Sequence, residues 1–164
     1  MNDDTLIQVG IGEIKIGGAN NYLRAILGSC IGIGFIWRKG GRCGLAHCLL
    51  PAAPDHVLQR GARYVDQAVP SLLTLMGIGS ADFPDVEVIV TGGARMFGIS
   101  QHNLNIGRQN ANKAITVLTE RGLAIGQIHV GGRRGRQIII DCKAQQFHIT
   151  QIARQPEEVD HGTF

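Results

Sequence analysis

Two strand-like segments joined by a short turn constrain the fold of this chain most strongly. Residues Ile31 to Trp37 alternate large and small side chains, and residues Arg42 to Leu50 read as a second strand that ends at Pro51. The four residues Arg38-Lys39-Gly40-Gly41 between them have the composition of a turn. The sequence therefore predicts an antiparallel hairpin, and the odd-numbered residues of its first strand are expected to face the core.

This hairpin is expected to bring Cys30 and His47 onto one face. Residues directly opposite in an antiparallel pair share a face with Cβ atoms about 5 Å apart, and so do diagonal neighbours at about 7 Å. A turn of two or four residues makes His47 opposite or diagonal to Cys30, whereas a turn of three would separate them. Gly32 and Gly34 lie on the same face and are expected to leave open space beside the sulfur.

A thiol beside an imidazole is the basis of cysteine-dependent hydrolysis. A free thiol is only slightly ionised at neutral pH, and a neighbouring imidazolium would stabilise the thiolate. The same ring could later protonate a leaving ammonia. Gly28 and Gly32 would let a substrate carbonyl approach backbone N–H groups that form an oxyanion hole. Cys30 and His47 are therefore the candidate catalytic pair of a cysteine amidohydrolase.

Three other interpretations of these residues stay open at this point. Cys30 can be a small buried core residue with His47 as a satisfied polar neighbour. Gly28 to Gly32 match the Gly-x-Cys-x-Gly spacing of a nucleophile elbow, although an elbow needs a helix directly after the nucleophile. Cys30, Cys43, His47 and Cys48 can form a zinc site, although their spacing is not standard and neighbouring strand residues point to opposite faces.

Composition places the chain among soluble globular proteins. Its 164 residues are 44% hydrophobic and 18% charged, which suits one domain with its own core. No apolar run approaches the roughly 18–20 residues of a membrane span, and Met1 to Asp4 do not resemble the start of a signal peptide. We therefore expect a cytoplasmic location, free thiols and no membrane insertion. The net charge of +3 is too small to indicate a nucleic-acid partner.

The remaining segments predict a single α+β domain of mostly antiparallel strands with two helices. Gly10-Ile11-Gly12 lacks the third glycine of a dinucleotide fingerprint, which excludes that motif. Pro70 is expected to kink or interrupt the first helix. The predicted strands are Ile7–Ile16, Tyr22–Leu27, Val86–Val90, Leu123–Val130, Gln137–Asp141 and Gln146–Thr150, and the predicted helices are Leu58–Met76, ended by Gly77, and Asn105–Arg121, followed by Gly122. Strands Leu123–Val130 and Gln137–Asp141 are expected to form a hairpin whose loop carries Arg133, Arg134 and Arg136, either as a solvated surface or as partners of acidic helices.

Several short segments, in a fixed order between about residues 20 and 150, resemble the chemoreceptor glutamine deamidase family, CheD. They are Leu27-Gly28-Ser29-Cys30-Ile31, Gly44 to Pro51, Tyr64 to Ala68, Gly92 to Phe97, Asn105-Ile106-Gly107 with Asn110, and Gly131-Gly132 with Arg136. The resemblance implies a deamidase domain over residues 1–154, with 155–164 as a loose tail. It also implies an α/β/β layered sandwich, similar to the catalytic domain of the cytotoxic necrotizing toxins.

The resemblance assigns roles to the candidate residues. Cys30 would attack a glutamine side chain on a methyl-accepting chemotaxis receptor, and His47 would act as base and acid. A thioester would form and be hydrolysed to glutamate, with no metal or organic cofactor. The implied partners are the receptors and a CheC-like phosphatase. Gly28, Ser29, Gly92 and Gly93 are candidates for the oxyanion hole or substrate rim, and a turn that needs positive φ is the alternative interpretation of the last two.

Two departures from the family pattern affect these expectations. Members of the family usually carry a threonine shortly before the cysteine motif, which is thought to orient the histidine, but residues 23–26 here contain no hydroxyl. A backbone carbonyl or Ser29 would then orient His47, or nothing would. The alternative function is a catalytically weak adaptor that binds receptors or the phosphatase. His129 also replaces an acidic residue of the family.

Overall fold

The computed structural model describes residues 4–54, 59–96 and 105–153, whose elements form three layers. The strands are β1 (Thr5–Gln8), β2 (Ile14–Gly17), β3 (Asn21–Leu27), β4 (Ile31–Trp37), β5 (Arg42–Cys48), β6 (Val86–Gly92), β7 (Ile125–Val130), β8 (Arg136–Asp141) and β9 (Gln146–Gln151). The helices are α1 (Val65–Met76) and α2 (Ile106–Glu120), and a 3-10 helix spans Ser80–Asp85.

The strands divide into a five-stranded sheet, ordered β2-β5-β4-β6-β7, and a four-stranded sheet, ordered β1-β3-β8-β9. Helices α1 and α2 pack on one face of the five-stranded sheet, and the four-stranded sheet covers its other face. The strand pairs are antiparallel except for β1–β3 and β6–β7. The predicted α+β domain with α/β/β layers and mostly antiparallel strands is confirmed.

Strand β4 lies at the centre of the five-stranded sheet and is buried on both faces. Ile31, Ile33 and Phe35 pack into the core beneath the helices. On the other face, a Cβ added at Gly34 would lie 2.9 Å from the Ile140 side chain of the second sheet, and one added at Gly32 would lie 2.9 Å from Leu27. The expected open space beside Cys30 is therefore wrong, because these glycines let neighbouring side chains and the second sheet approach closely.

The predicted hairpin of β4 and β5 is confirmed with a turn of four residues, 38–41. Trp37 lies opposite Arg42, and Gly32 lies opposite His47. Because the turn length is even, the parity required for Cys30 and His47 to share a face is met.

Two predicted strand arrangements are wrong. The segment Ile7–Ile16 is not one strand: it turns after β1, which joins the four-stranded sheet, and β2 joins the other sheet. Strands β7 and β8 do not form a hairpin, since β7 pairs with β6 in parallel and β8 pairs with β3 in the second sheet. Alternation of side chains predicts a strand, but it does not identify the partner strand.

The two helices end where the glycines in the sequence predict, while α1 begins later than predicted. Gly77 and Gly122 adopt positive φ of 74° and 85°, as expected directly after helices. α1 begins at Val65, later than predicted, and continues through Pro70 without interruption; Leu58 lies outside the described residues. Asn105 precedes α2, but its side chain makes no capping hydrogen bond. No helix in the described ranges is long and apolar enough to span a membrane.

Candidate active site

Cys30 lies where the chain passes from one sheet to the other. Residues Gly28 to Cys30 connect the end of β3 in the four-stranded sheet to the start of β4 in the five-stranded sheet. The Cys30 side chain is 6% exposed, whereas Cys43 and Cys48 are fully buried and Cys142 is 2% exposed. Gly28 and Ser29 are half-buried. Of the four thiols, Cys30 is thus the one nearest to solvent.

The turn after β6 holds the backbone of this connection. The Gly93 N–H donates to the Cys30 carbonyl at 2.8 Å, and the Ala94 N–H donates to the Gly28 carbonyl at 3.0 Å. Gly92 and Gly93 have φ of 105° and 64°, in the region that favours glycine. The turn interpretation of these two residues is confirmed, and the same turn contacts the backbone of the candidate nucleophile.

Asn110 of α2 joins the two strand ends that carry Cys30 and His47. Its side-chain amide donates to the carbonyls of Ser29, at 3.1 Å, and Leu49, at 3.0 Å. The residue is fully buried, and its Oδ1 has no hydrogen-bond partner among the residues that the structure describes. The sequence indicates no role for Asn110 beyond the resemblance. One signal for a structural role was available in the sequence. Asn110 lies on the same helix face as Ala114 and Val117, which pack into the core.

His47 is fixed by the loop between β1 and β2. Its Nδ1 lies 2.9 Å from the Val9 carbonyl, and because a carbonyl only accepts, Nδ1 must carry the proton. The Gly12 N–H donates to the His47 carbonyl at 2.7 Å, and the His47 N–H donates to the Glu13 carbonyl at 3.0 Å. Nε2 therefore keeps its lone pair. A backbone carbonyl, Ser29 or no group at all was expected to orient His47, and the structure shows the backbone carbonyl of Val9.

The hairpin register places Cys30 and His47 diagonally on one face. His47 lies opposite Gly32, and Cys48 lies opposite Ile31, so the position opposite Cys30 is Leu49. Both side chains are nearly buried, at 6% and 4% exposure. The diagonal arrangement is one of the two that the turn length allowed.

Burial keeps both groups neutral in the free protein. It raises the pKa of the Cys30 thiol above its ordinary value. It also lowers the pKa of His47, against smaller opposing effects of the Val9 hydrogen bond and the Glu13 charge. The expected thiolate–imidazolium pair is therefore not favoured at neutral pH, because desolvation penalises both charged forms. The site instead holds a thiol and an imidazole that is ready to accept a proton.

The other cysteines do not converge on this pair. Cys48 packs in the core beneath the helices. Cys43 lies between the sheets beside Cys142, and the hydrogen bond that Cys43 donates to Cys142 is the main cause that raises the Cys43 pKa. The elbow interpretation is wrong because strand β4, not a helix, follows Cys30. In the described ranges, no three His, Cys, Asp or Glu residues are grouped so that they could hold a metal ion.

Arg136 stabilises the turn after β6 from the protein interior. Its side chain is 6% exposed and donates to the carbonyls of Gly92, His129 and Gly131 at 2.9, 2.6 and 2.6 Å. A solvated position is therefore wrong for Arg136, although Arg133 and Arg134 are exposed. Burial lowers the pKa of Arg136.

His129, which replaces an acidic residue of the family, is exposed, and its ring contacts Gln127 at 3.1 Å. Asp66, early in α1, accepts the Ala53 N–H at 3.1 and 3.2 Å. Asp66 thus fixes the segment after β5. Phe97, the last residue of one resembling segment, and the tail 155–164 lie outside the described residues.

Comparison with known proteins places the chain in one family. A family profile described as CheD chemotactic sensory transduction matches residues 49–151, which begins just after His47. A probable chemoreceptor glutamine deamidase CheD from Bdellovibrio bacteriovorus is 37% identical over 134 residues, 80% of this chain and 86% of that protein. The probable chemoreceptor glutamine deamidase CheD 2 of Ruegeria sp. is 36% identical over 167 residues, 90% of this chain and 93% of its own length.

A probable chemoreceptor glutamine deamidase CheD from Methanococcus maripaludis is 31% identical over 139 residues, 84% of this chain and 90% of that protein. Among solved structures, the hypothetical protein YfiH of Bacillus licheniformis matches with a TM-score of 0.37 and 13% identity, covering 80% of this chain and 60% of YfiH. The family match over residues 49–151 and the identity to relatives along most of the sequence show that this chain belongs to the CheD family.

Proposed function

We propose that this protein converts glutamine side chains of chemoreceptors to glutamate, with Cys30 as nucleophile and His47 as general base and acid. The relatives that cover most of the chain are named as probable chemoreceptor glutamine deamidases. The assignment of Cys30 and His47 as the catalytic residues depends on how His47 is held. Its Nδ1 donates to the Val9 carbonyl, its Nε2 keeps the lone pair that can accept a proton, and it shares a strand face with Cys30.

The proposed reaction begins with the neutral pair. As the Cys30 sulfur attacks the amide carbon of a glutamine side chain, Nε2 of His47 takes the thiol proton. The imidazolium then protonates the amide nitrogen, ammonia leaves, and a thioester remains. Neutral His47 next removes a proton from water, whose oxygen attacks the thioester and releases glutamate and the Cys30 thiol. The net reaction consumes one water and produces one ammonia.

The negative oxygen of the tetrahedral intermediates needs donors that are not already used. Within the described segments, the backbone N–H groups of Ser29 and Cys30 form no hydrogen bond, while the Gly93 N–H is occupied by the Cys30 carbonyl. We therefore assign the oxyanion hole to the N–H groups of Ser29 and Cys30. Gly28 does not leave open space, because a Cβ added there would lie 3.3 Å from the Met96 side chain. The turn formed by Gly92 and Gly93 positions this loop, because the Gly93 N–H donates to the Cys30 carbonyl.

Mass spectrometry of chemoreceptor cytoplasmic fragments tests the proposal. Incubation with the wild-type protein should add about one mass unit to specific glutamines, as conversion of an amide to an acid requires, and should release ammonia. Cys30→Ala and His47→Ala should abolish both signals. Cys48→Ala is the matched control, because it removes a thiol from the opposite face of the same hairpin and should keep the activity.

The alternative function is an adaptor with little catalysis that binds receptors or a CheC-like phosphatase. The absent hydroxyl at residues 23–26 and the neutral Cys30 thiol favour it, while the contact between His47 and Val9 favours catalysis. If wild type and Cys30→Ala bind the receptor fragment equally and leave its glutamines unchanged, the adaptor function is correct and the deamidase proposal is refuted.

A further inference from the structure

A cavity of about 510 Å³ lies beside the loop that carries Cys30. Its wall includes Gly93, whose N–H binds the Cys30 carbonyl at 2.8 Å, together with Gly131 and Gly132. Cys30 itself does not line it. The cavity is therefore placed to receive a group next to the reacting glutamine, and not the glutamine itself.

Three arginines from separate parts of the chain line this cavity. Arg95 follows β6, Arg108 lies near the start of α2, and Arg133 lies between β7 and β8. All three are exposed, and none forms an ion pair with an acidic side chain in the described ranges. The described residues that line the cavity include no aspartate or glutamate. Three guanidinium groups without a counter-charge make this wall strongly positive.

The beginning of α2 adds to the positive potential. Its first turn contains no acidic residue, and the Asn105 side chain makes no capping hydrogen bond, so the partial positive charge of the helix end is not offset. The helix is held close to the cavity because Gly107 packs on the turn after β6. A Cβ at that position would lie 2.6 Å from the Ala94 carbonyl oxygen.

The wall of the cavity is fixed before any ligand arrives. The Arg95 N–H donates to the Gly132 carbonyl at 2.8 Å. Arg136 holds the carbonyls of Gly92 and Gly131 from the protein interior. These bonds fix the backbone from which the arginines project, so this part of the wall need not be ordered when a ligand binds.

We propose that this cavity binds the carboxylate of an acidic side chain that lies close to the target glutamine in the substrate protein, an inference that rests on the proposed deamidase function. Guanidinium groups bind carboxylates through paired, charge-assisted hydrogen bonds. None of the described residues that line the cavity carries an aromatic side chain on which a nucleic-acid base could stack. Arg95, Arg108 and Arg133 thereby select glutamines in an acidic context.

Two peptides test this selection with the full-length protein. Both contain one glutamine, and they differ only in carrying glutamate or alanine three and four residues away from it. Wild type should deamidate the acidic peptide with a kcat/KM about tenfold higher at low salt, and the ratio should fall as salt screens the charges. Arg108→Glu and Arg133→Glu should each lower the ratio about fivefold, and the double variant should reverse the preference.

Arg134→Glu is the matched control, since Arg134 is exposed beside Arg133 but does not line the cavity. It should keep the wild-type ratio. Equal kcat/KM for both peptides with wild type, or a ratio that Arg108→Glu and Arg134→Glu change alike, would overturn the inference while the deamidase function stands. If neither peptide nor any receptor fragment is deamidated, the proposed function is refuted together with the inference.

Discussion

At the scale of single residues, the hydrogen bond between His47 and Val9 determines which nitrogen of the imidazole ring can accept a proton. A carbonyl can only accept, so this contact leaves the proton on Nδ1 and the lone pair on Nε2. Strand parity identifies His47 from the sequence, but the hydrogen-bond partner of its ring is a backbone atom. Such partners leave no mark on the sequence, because every residue carries the same carbonyl.

The pH dependence of deamidation follows from the His47 pKa. Burial lowers this pKa from its ordinary 6.5, and the reaction needs the neutral ring. The acidic limb of kcat/KM should therefore lie below pH 6.5, so that activity persists as the pH falls through that value and is lost only when His47 becomes protonated. Rates of ammonia release between about pH 4 and pH 8 measure the limb. An acidic limb centred above pH 6.5 would contradict this protonation state.

Asn110 should matter for both stability and rate. Asn110→Ala leaves the half-buried carbonyls of Ser29 and Leu49 without this donor, which should lower the free energy of unfolding by about 1–3 kcal/mol. It should also slow deamidation, because the two strand ends that carry Cys30 and His47 lose their link. Urea unfolding and initial rates measure the two effects.

Gln109→Ala is the control for Asn110, since it removes an exposed amide from the preceding position of α2. It should change stability by less than about 0.5 kcal/mol. Equal effects of the two substitutions would show that the link through Asn110 contributes nothing.

At the scale of secondary-structure elements, the turn after β6 connects the packing of the sheet to the nucleophile. A Cβ at Gly92 would collide with the Cys30 carbonyl, and its φ of 105° is unfavourable for alanine. Gly92→Ala should therefore lower the free energy of unfolding by about 3 kcal/mol or more and reduce activity strongly. Urea unfolding combined with deamidation rates provides the measurement.

Gly122→Ala separates the effect of the positive φ from the effect of the collision with the Cys30 carbonyl. Gly122 also has positive φ, 85°, but a Cβ there would meet open space. This variant should lose about 1–2 kcal/mol and keep its activity. If Gly122→Ala impairs the protein as much as Gly92→Ala, the collision with the Cys30 carbonyl is not the cause.

The elements show which parts of the fold the sequence can predict. The hairpin of β4 and β5 was predictable with its parity, because side-chain alternation and an even turn length fix parity locally, while two registers stayed open. The assignment of β7 and β8 to different sheets was not, since both segments alternate equally well and their partners lie far away in the chain. Arg136 was misassigned for the same reason, because three backbone carbonyls converge on it only after the sheets have assembled.

At the scale of the whole molecule, the two sheets approach each other closely where glycines permit it. A Cβ at Gly17 would lie 2.8 Å from the Cys142 sulfur and 3.0 Å from the Asn21 Cβ, whereas one at the neighbouring Gly18 would meet nothing within 4 Å. Gly17→Ala should destabilise the protein by about 1–3 kcal/mol through overpacking, and Gly18→Ala should be nearly neutral. Thermal unfolding of the two variants compares them, and equal stability would show that the sheets can separate at no cost.

The three-layer fold places Cys30 at the connection between the sheets, where loops from both can hold it. The central claim is that this thiol attacks the glutamine side chain. The most direct test uses a chemoreceptor fragment in which an electrophilic chloroacetamide group replaces a target glutamine side chain, followed by peptide mapping of the covalent product. The account predicts a bond to Cys30 that disappears in Cys30→Ala and does not move to Cys43, Cys48 or Cys142. A bond to another cysteine, or no bond from a protein that deamidates the unmodified fragment, would contradict it.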